Sequence, residues 1–270
     1  MTQAIITHLS AADPVMKRLI AAAGPLAIPE PEAHSPYEAL ARAIAHQQLN
    51  GKAAQSILNR FVTTCGQGVF PTPESLLLLK DVALRASGFS FSKIAALRDL
   101  ATKTMAGIVP AHDALHALTD LEIIERLTAV RGIGRWTVEM LLMFRLRRPD
   151  VLPVDDFGVR HGFRLAYGLK QMPEPKVLAL FGERWAPHRS AAAWYLWRAV
   201  DLHRAGQLPT PIEITRLPRL PRKRRKLARS QTARKSKRVA ASATRSARSG
   251  ARTRARRPPA RRSRAPTKKK

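Results

Sequence analysis

Residues 127–144 read LTAVRGIGRWTVEMLLMF, an apolar helical stripe cut by Gly132-Ile133-Gly134 and resumed at once. Two glycines two apart permit a tight turn with positive φ, and Ile133 between them can point inward as an anchor. The spacing predicts a helix–hairpin–helix over 127–144. The second helix then starts beside the turn with its first N–H groups free, so hairpin amides and helix dipole together make a site for a phosphate. Such a unit grips a nucleic-acid backbone without reading bases, through Gly132, Ile133, Gly134, Arg135 and Thr137. From the glycines alone an ordinary αα-hairpin with a glycine cap is the favoured reading; the rest of the chain has to choose.

Working outward, the pattern stays helical. Thr119 and Glu122 have capping-box spacing, and Leu121, Ile124, Leu127 and Val130 fall on one stripe that stops at Gly132. Thr72-Pro73-Glu74 reads as an N-cap, a first helical residue and a dipole-complementing acid, opening one helix that runs to Gly88. Residues 36–61 read as one amphipathic helix or two broken at Asn50-Gly51, and 187–203 as a late helix. No sustained period-two alternation and no fixed-period repeat occurs. The expectation is an all-α body of roughly eight to ten short helices.

Charge divides the chain. Residues 216–270 hold 24 of the 48 Lys and Arg and none of the 19 Asp and Glu, leaving a body of +5 and a tail of +24. A Lys, Arg, Ser, Ala and Pro mixture of this kind cannot bury enough apolar surface to offset its ordering entropy. The division expected is a domain over 1–215 and a disordered basic tail over 216–270. The tail should contact many phosphates with steep salt dependence, the alternatives being a solubilising or RNA-binding segment. The single cysteine, Cys65, excludes a disulfide framework, a four-cysteine iron–sulfur cluster and a cysteine-based zinc finger. No apolar run is long enough to span a bilayer, and the first residues lack a basic and then apolar leader, so neither membrane insertion nor export is expected.

Four segments together resemble the helix–hairpin–helix (HhH-GPD) DNA glycosylases, specifically the alkylation-repair branch typified by DNA-3-methyladenine glycosylase II. They are ARAIAHQQLNGKAAQSI (41–57), ASGFSFSKIAALRDLA (86–101), the hairpin (127–144) and DVLPVDDFGVRHGF (150–163). The resemblance implies an all-α, two-lobed fold with the active site between lobes, here without the N-terminal β domain that some relatives carry. It implies base excision repair: hydrolysis of the N-glycosidic bond of alkylated purines (3-methyladenine, 7-methylguanine) in duplex DNA, leaving an abasic site.

By that resemblance, the second Asp after the hairpin assists departure of the base, which is Asp156, twenty residues beyond Trp136. The chemistry needs an anion beside C1′ because the sugar becomes oxocarbenium-like as the bond breaks. Asp155 is expected to cap the helix that starts near Phe157. Glycosylases with lyase activity carry a Schiff-base lysine where this chain has Trp136, so a monofunctional enzyme is implied. Trp136, Trp197 and Phe157 match aromatic pocket positions, which attract a cationic base; Met140 replaces a tyrosine common in the family. Trp185 and Trp194 read as packing residues. Gln47-Gln48-Leu49 fits the side-chain plug that fills the gap left by a flipped base, with Gln48 favoured, and Lys52 and Lys93 are candidate phosphate contacts. No side-chain metal site is spaced in the sequence; the resemblance allows a monovalent cation on hairpin carbonyls, and otherwise no cofactor. A monomer acting on damaged duplex DNA is expected, nucleoid-associated in a bacterial cytoplasm or nuclear in a eukaryote. Two alternatives stay open: a catalytically silent, chromatin-like DNA-binding protein, and a monofunctional glycosylase for oxidised or deaminated bases.

Overall fold

One device starts most of the helices: a short polar side chain bonds back to the amide two or three residues on, often with proline or an acid in the first turn. Asp13, Ser35, Asn50, Thr72, Ser90, Thr119 and Asp156 all act this way. Each such cap stabilises its helix by about 1 kcal/mol. The computed structural model describes residues 2–30, 34–212, 217 and 218. Among them are thirteen α-helices and no strand: α1 (Thr2–Ala12), α2 (Pro14–Ala23), α3 (Pro36–His46), α4 (Gly51–Arg60), α5 (Pro73–Leu78), α6 (Asp81–Ala86), α7 (Phe91–Met105), α8 (His112–His116), α9 (Asp120–Thr128), α10 (Arg135–Phe144), α11 (Phe157–Ala166), α12 (Pro175–Gly182) and α13 (Arg189–Arg204). A π-helical turn, Phe61–Cys65, follows α4, and a 3-10 turn, Glu183–Trp185, follows α12.

The helices pack as two lobes. Helix α7 lies against α3, α5 and α6, while α3 also meets α4 and α10, and α10 meets α9. Both ends of the described chain build the other lobe, where α13 crosses α11 and α2, and α2 packs on α1. The α11–α13 crossing is close enough that the space beyond the Gly162 Cα is filled by the Leu196 carbonyl. A single buried carboxylate ties this lobe together. Asp13, 1% exposed, caps α2 through Val15 and Met16 and accepts the Tyr167 hydroxyl at 2.6 Å and the Trp185 indole N–H at 3.1 Å. The Tyr167 hydroxyl is held well above its usual pKa by burial, with the Asp13 charge adding to it, so it remains a donor.

The all-helical expectation and the capping box at Thr119 and Glu122 are both seen; Glu122 returns to the Thr119 N–H at 2.8 Å. One boundary is corrected. The helix expected over 72–88 is two, α5 and α6, because Arg98 of α7 takes the Leu77 and Leu79 carbonyls at 3.1 and 2.6 Å and holds Asp81 at 2.6 Å. A tertiary donor thus satisfies the carbonyls that an uninterrupted helix would have used. The 36–61 stretch takes the second of its two expected forms, α3 and α4 with the break at residues 47–50 and Asn50 capping α4. The helix count exceeds eight to ten because such breaks divide the longer stripes. The expected basic tail lies outside the described residues, apart from Leu217 and Pro218.

Candidate active site

The hairpin forms at the glycines, with unequal roles. Gly132 has φ +78°, the left-handed conformation that the turn requires, whereas Gly134 has φ −93° and is the N-cap of α10. With no side chain to cap α10, the amides of its first turn remain for an external acceptor. Ile133 is 4% exposed and joins the core, an anchor contributing about 2 kcal/mol of apolar burial. Its side chain therefore cannot touch DNA, and its N–H donates to the Val130 carbonyl at 3.1 Å. Arg135 turns back to Glu139, Nε to Oε1 at 2.8 Å. Burial raises the pKa of Glu139, and Asp155 and Asp156 add to the rise against the pull of Arg135.

Beyond α10 the chain turns back on itself, the Asp156 N–H donating to the Pro153 carbonyl at 3.0 Å, and α11 begins. Here the expectation for Asp155 is corrected. Asp156, not Asp155, caps α11: its Oδ1 accepts the Val159 N–H at 2.7 Å, while Asp155 is exposed. The turn aims the second carboxylate along the helix start and leaves the first outside. The same Asp156 carboxylate accepts two indole N–H groups, Trp136 on Oδ2 at 2.7 Å and Trp197 on Oδ1 at 2.9 Å. Trp136 comes from α10 in one lobe and Trp197 from α13 in the other, so the carboxylate is fixed where the lobes meet. Gly158 permits this, since a Cβ there would stand 2.8 Å from the Trp197 indole nitrogen.

An open recess of about 420 Å³ lies against Trp136, lined by Met140, Phe144, His46, Gln47 and Gln48 among others, with Asp156 reached through the Trp136 indole N–H and not itself part of the lining. Trp136 thus belongs to both features: its ring walls the recess and its N–H holds Asp156. Of the four expected pocket residues, Trp136 and Met140 line the recess. Trp197 lies outside that lining, stacked on Phe144 at 5.8 Å, and Phe157, 66% exposed, stacks on His161 at 5.5 Å. Phe144 and His46 went unmarked in the sequence, although Phe144 follows Trp136 and Met140 at helical spacing on one face of α10. Trp185 is fully buried, as expected; Trp194 is partly buried against Tyr195.

The Gln47–Leu49 segment forms the break between α3 and α4 at the mouth of the recess. Gln48 sits at φ +58° and is exposed, as is Leu49. Gln47 is turned to the hairpin, Nε2 donating to the Gly132 carbonyl at 2.8 Å. Lys93 is not free for a phosphate: its Nζ donates to the Ala45 carbonyl at 2.7 Å and closes the end of α3, and burial lowers its pKa. Among the described residues no group of three or more His, Cys, Asp and Glu could hold a metal ion. No described helix is long and apolar enough to cross a membrane.

Two helical lobes, a hairpin at the mouth of the cleft and one indole-clamped carboxylate beside an aromatic recess define a helix–hairpin–helix fold of the DNA glycosylase class. The sequence profile of the HhH-GPD superfamily of base excision DNA repair proteins matches residues 41–187. DNA-3-methyladenine glycosylase 1 of Schizosaccharomyces pombe is 44% identical over 196 residues, covering 72% of this chain and 86% of its own. The solved structure of that organism's 3-methyladenine DNA glycosylase in complex with abasic DNA superposes with TM-score 0.65, covering 72% of this chain and 95% of the other. A DNA-3-methyladenine glycosidase from Bacillus halodurans, 34% identical, superposes with TM-score 0.68 over 74% of this chain and 91% of the other. The chain belongs to the HhH-GPD superfamily of base excision DNA repair proteins.

Proposed function

We propose that this protein is a monofunctional DNA glycosylase of base excision repair that hydrolyses the N-glycosidic bond of alkylated purines in duplex DNA. The observation that carries the reading is the clamping of both oxygens of Asp156 by indole N–H groups from opposite lobes. A carboxylate so held has a fixed position and needs little reorganisation when positive charge develops near it.

The steps follow from the residues. The hairpin main chain and the α10 N-terminus grip a phosphate, and the damaged nucleotide turns out of the stack, with Gln48 or Leu49 entering the gap. The extruded purine enters the recess, whose volume lies within the range of about 300–1,000 Å³ usual for small-molecule sites. Ring alkylation makes the base cationic, and the faces of Trp136 and Phe144 attract that charge. As the C1′–N bond breaks, its electron pair leaves with the base and neutralises the ring, while the Asp156 carboxylate stabilises the cationic sugar. Water adds at C1′ and gives up a proton, with Asp156 as the nearby acceptor, leaving a free base and an abasic site. Trp136 stands where a Schiff-base amine would be needed, so no strand cleavage follows.

A monovalent cation on the hairpin carbonyls meets Ala129, Val130 and Gly132 already accepting hydrogen bonds, Ala129 from the Lys103 ammonium. Each of these carbonyls keeps a second lone pair that would face such a cation, and no step above runs through one. The protein acts as a monomer where duplex DNA is found, the nucleoid or the nucleus. The test is incubation of the full chain with randomly methylated duplex and identification of released bases by mass. Release of 3-methyladenine and 7-methylguanine is expected; release of neither, from protein that binds the duplex, overturns the reading in favour of a DNA-binding protein without activity.

A further inference from the structure

The hairpin turn is held from behind by two charged side chains of α7 that the mechanism above does not use. Asp99 Oδ2 accepts the Arg131 N–H at 2.7 Å, and Lys103 Nζ donates to the Ala129 carbonyl at 2.5 Å. Asp99 and Lys103, one helical turn apart, also meet each other at 2.7 and 3.0 Å. The two tethers therefore close a ring, one fixing a donor and the other an acceptor on the segment that enters the turn. Gly132 follows directly at φ +78°, a backbone position with wide conformational freedom. The Lys103 and Asp99 side chains are 23% and 30% exposed, and a partly exposed i,i+4 pair by itself contributes little stability. Its main-chain targets give it a different role.

We propose that the Asp99–Lys103 pair is the positioning device of the DNA-gripping hairpin, holding residues 129–131 so that the amides beyond Gly132 are already aimed at a phosphate. The inference rests on the DNA-binding reading above. Without Asp99, the Arg131 N–H loses its acceptor and Lys103 loses its counter-charge, so the turn must be ordered at the moment of binding. Preorganisation of this kind is felt as affinity for the gripped complex. Burial tends to raise the pKa of Asp99, but the Arg131 N–H and Lys103 outweigh it and hold the pKa below the ordinary value, consistent with a permanent anion.

The experiment compares the affinity of the full chain for duplex containing an abasic site with its affinity for undamaged duplex, so that sequence-independent attraction by the basic tail cancels in the ratio. Asp99→Ala and Lys103→Met should each reduce the preference for the abasic duplex about five- to tenfold, less than the full worth of one hydrogen bond to a charged group because the pair is partly exposed. Lys103→Arg should restore most of it. The excision rate at saturating enzyme should fall by less than the affinity does. Asp81→Ala is the control, since Asp81 is ion-paired to Arg98 of the same helix at 2.6 Å in a cluster that does not touch the hairpin; it should lower the melting temperature and keep the preference. If Asp99→Ala does not fold, Lys103→Met carries the test alone. Wild-type preference in Lys103→Met, or an equal loss in Asp81→Ala, overturns the proposal. A wild-type chain that binds no duplex overturns the underlying DNA reading instead.

Discussion

Gly158→Ala separates the geometry of the carboxylate clamp from the stability of the fold. The new Cβ would lie 2.7 Å from Trp197 Cδ1, 2.8 Å from its Nε1 and 3.1 Å from Asp156 Oδ1. Recovering an ordinary contact of about 3.5 Å requires the indole to move by roughly 0.7 Å. The ring stacks on Phe144, so it cannot swing away freely. Its bond to Asp156, now 2.9 Å, would stretch beyond hydrogen-bonding range. A hydrogen bond to a charged group contributes about 1.5–3 kcal/mol. If that contribution is realised at the transition state, excision slows about 10- to 150-fold. In the fold, alanine returns up to about 1 kcal/mol of helix propensity, so net stability should change by no more than about 2 kcal/mol. Single-turnover release of 7-methylguanine from duplex at saturating enzyme, with thermal melting alongside, reads both. Trp197→Phe removes the same bond without a clash, so the double variant should be little slower than either single one. An excision rate within twofold of wild type in Gly158→Ala would refute the reasoning.

Gly162→Ala should behave differently, because its Cβ would collide with the Leu196 main-chain carbonyl, which no rotamer can relieve; loss of at least about 3 kcal/mol, seen as insoluble or molten protein, is expected. Glu139 carries a raised pKa in the fold, so charging it opposes folding: stability falls as pH rises from the unfolded value of 4.5 through the higher folded value. Glu139→Gln should therefore melt higher than wild type at pH 7, with the difference shrinking toward pH 4; a constant difference across that range contradicts the sign. Truncation after Leu217 removes 23 of the tail's 24 positive charges. It should weaken duplex binding and flatten its salt dependence while leaving excision at saturating enzyme unchanged, and loss of excision would mean that the domain extends further.

What could be read from the sequence was whatever is local along the chain. The Gly132 turn, the Ile133 anchor and the Thr119–Glu122 box each involve residues within four positions, where periodicity and capping chemistry act. Asp156 and Trp136 stood out through their spacing within a recognisable motif, not through any local signal that they touch. Most of the misread features depend on a partner far away in the chain. The break between α5 and α6 exists because Arg98, nearly twenty residues on, supplies donors to its carbonyls. Either Asp at 155–156 could cap α11 by composition, and the turn at Pro153 decides between them. Lys93 looks like a surface cation until Ala45, 48 positions earlier, presents a carbonyl to it. The close approaches at Gly158 and the Asp99–Lys103 tether likewise come from helix packing, which no single segment encodes.

The account stands most directly on the charge of Asp156. Asp156→Asn keeps the size of the side chain and removes the anion, and one unit charge about 3.5 Å from C1′ at an effective dielectric of about 20 is an interaction of roughly 4–5 kcal/mol. Single-turnover release of 7-methylguanine at saturating enzyme should therefore slow about a thousandfold, with abasic-duplex affinity within a few-fold of wild type. An Asp156→Asn chain that folds, binds and excises within tenfold of the wild-type rate would contradict the role assigned to this carboxylate.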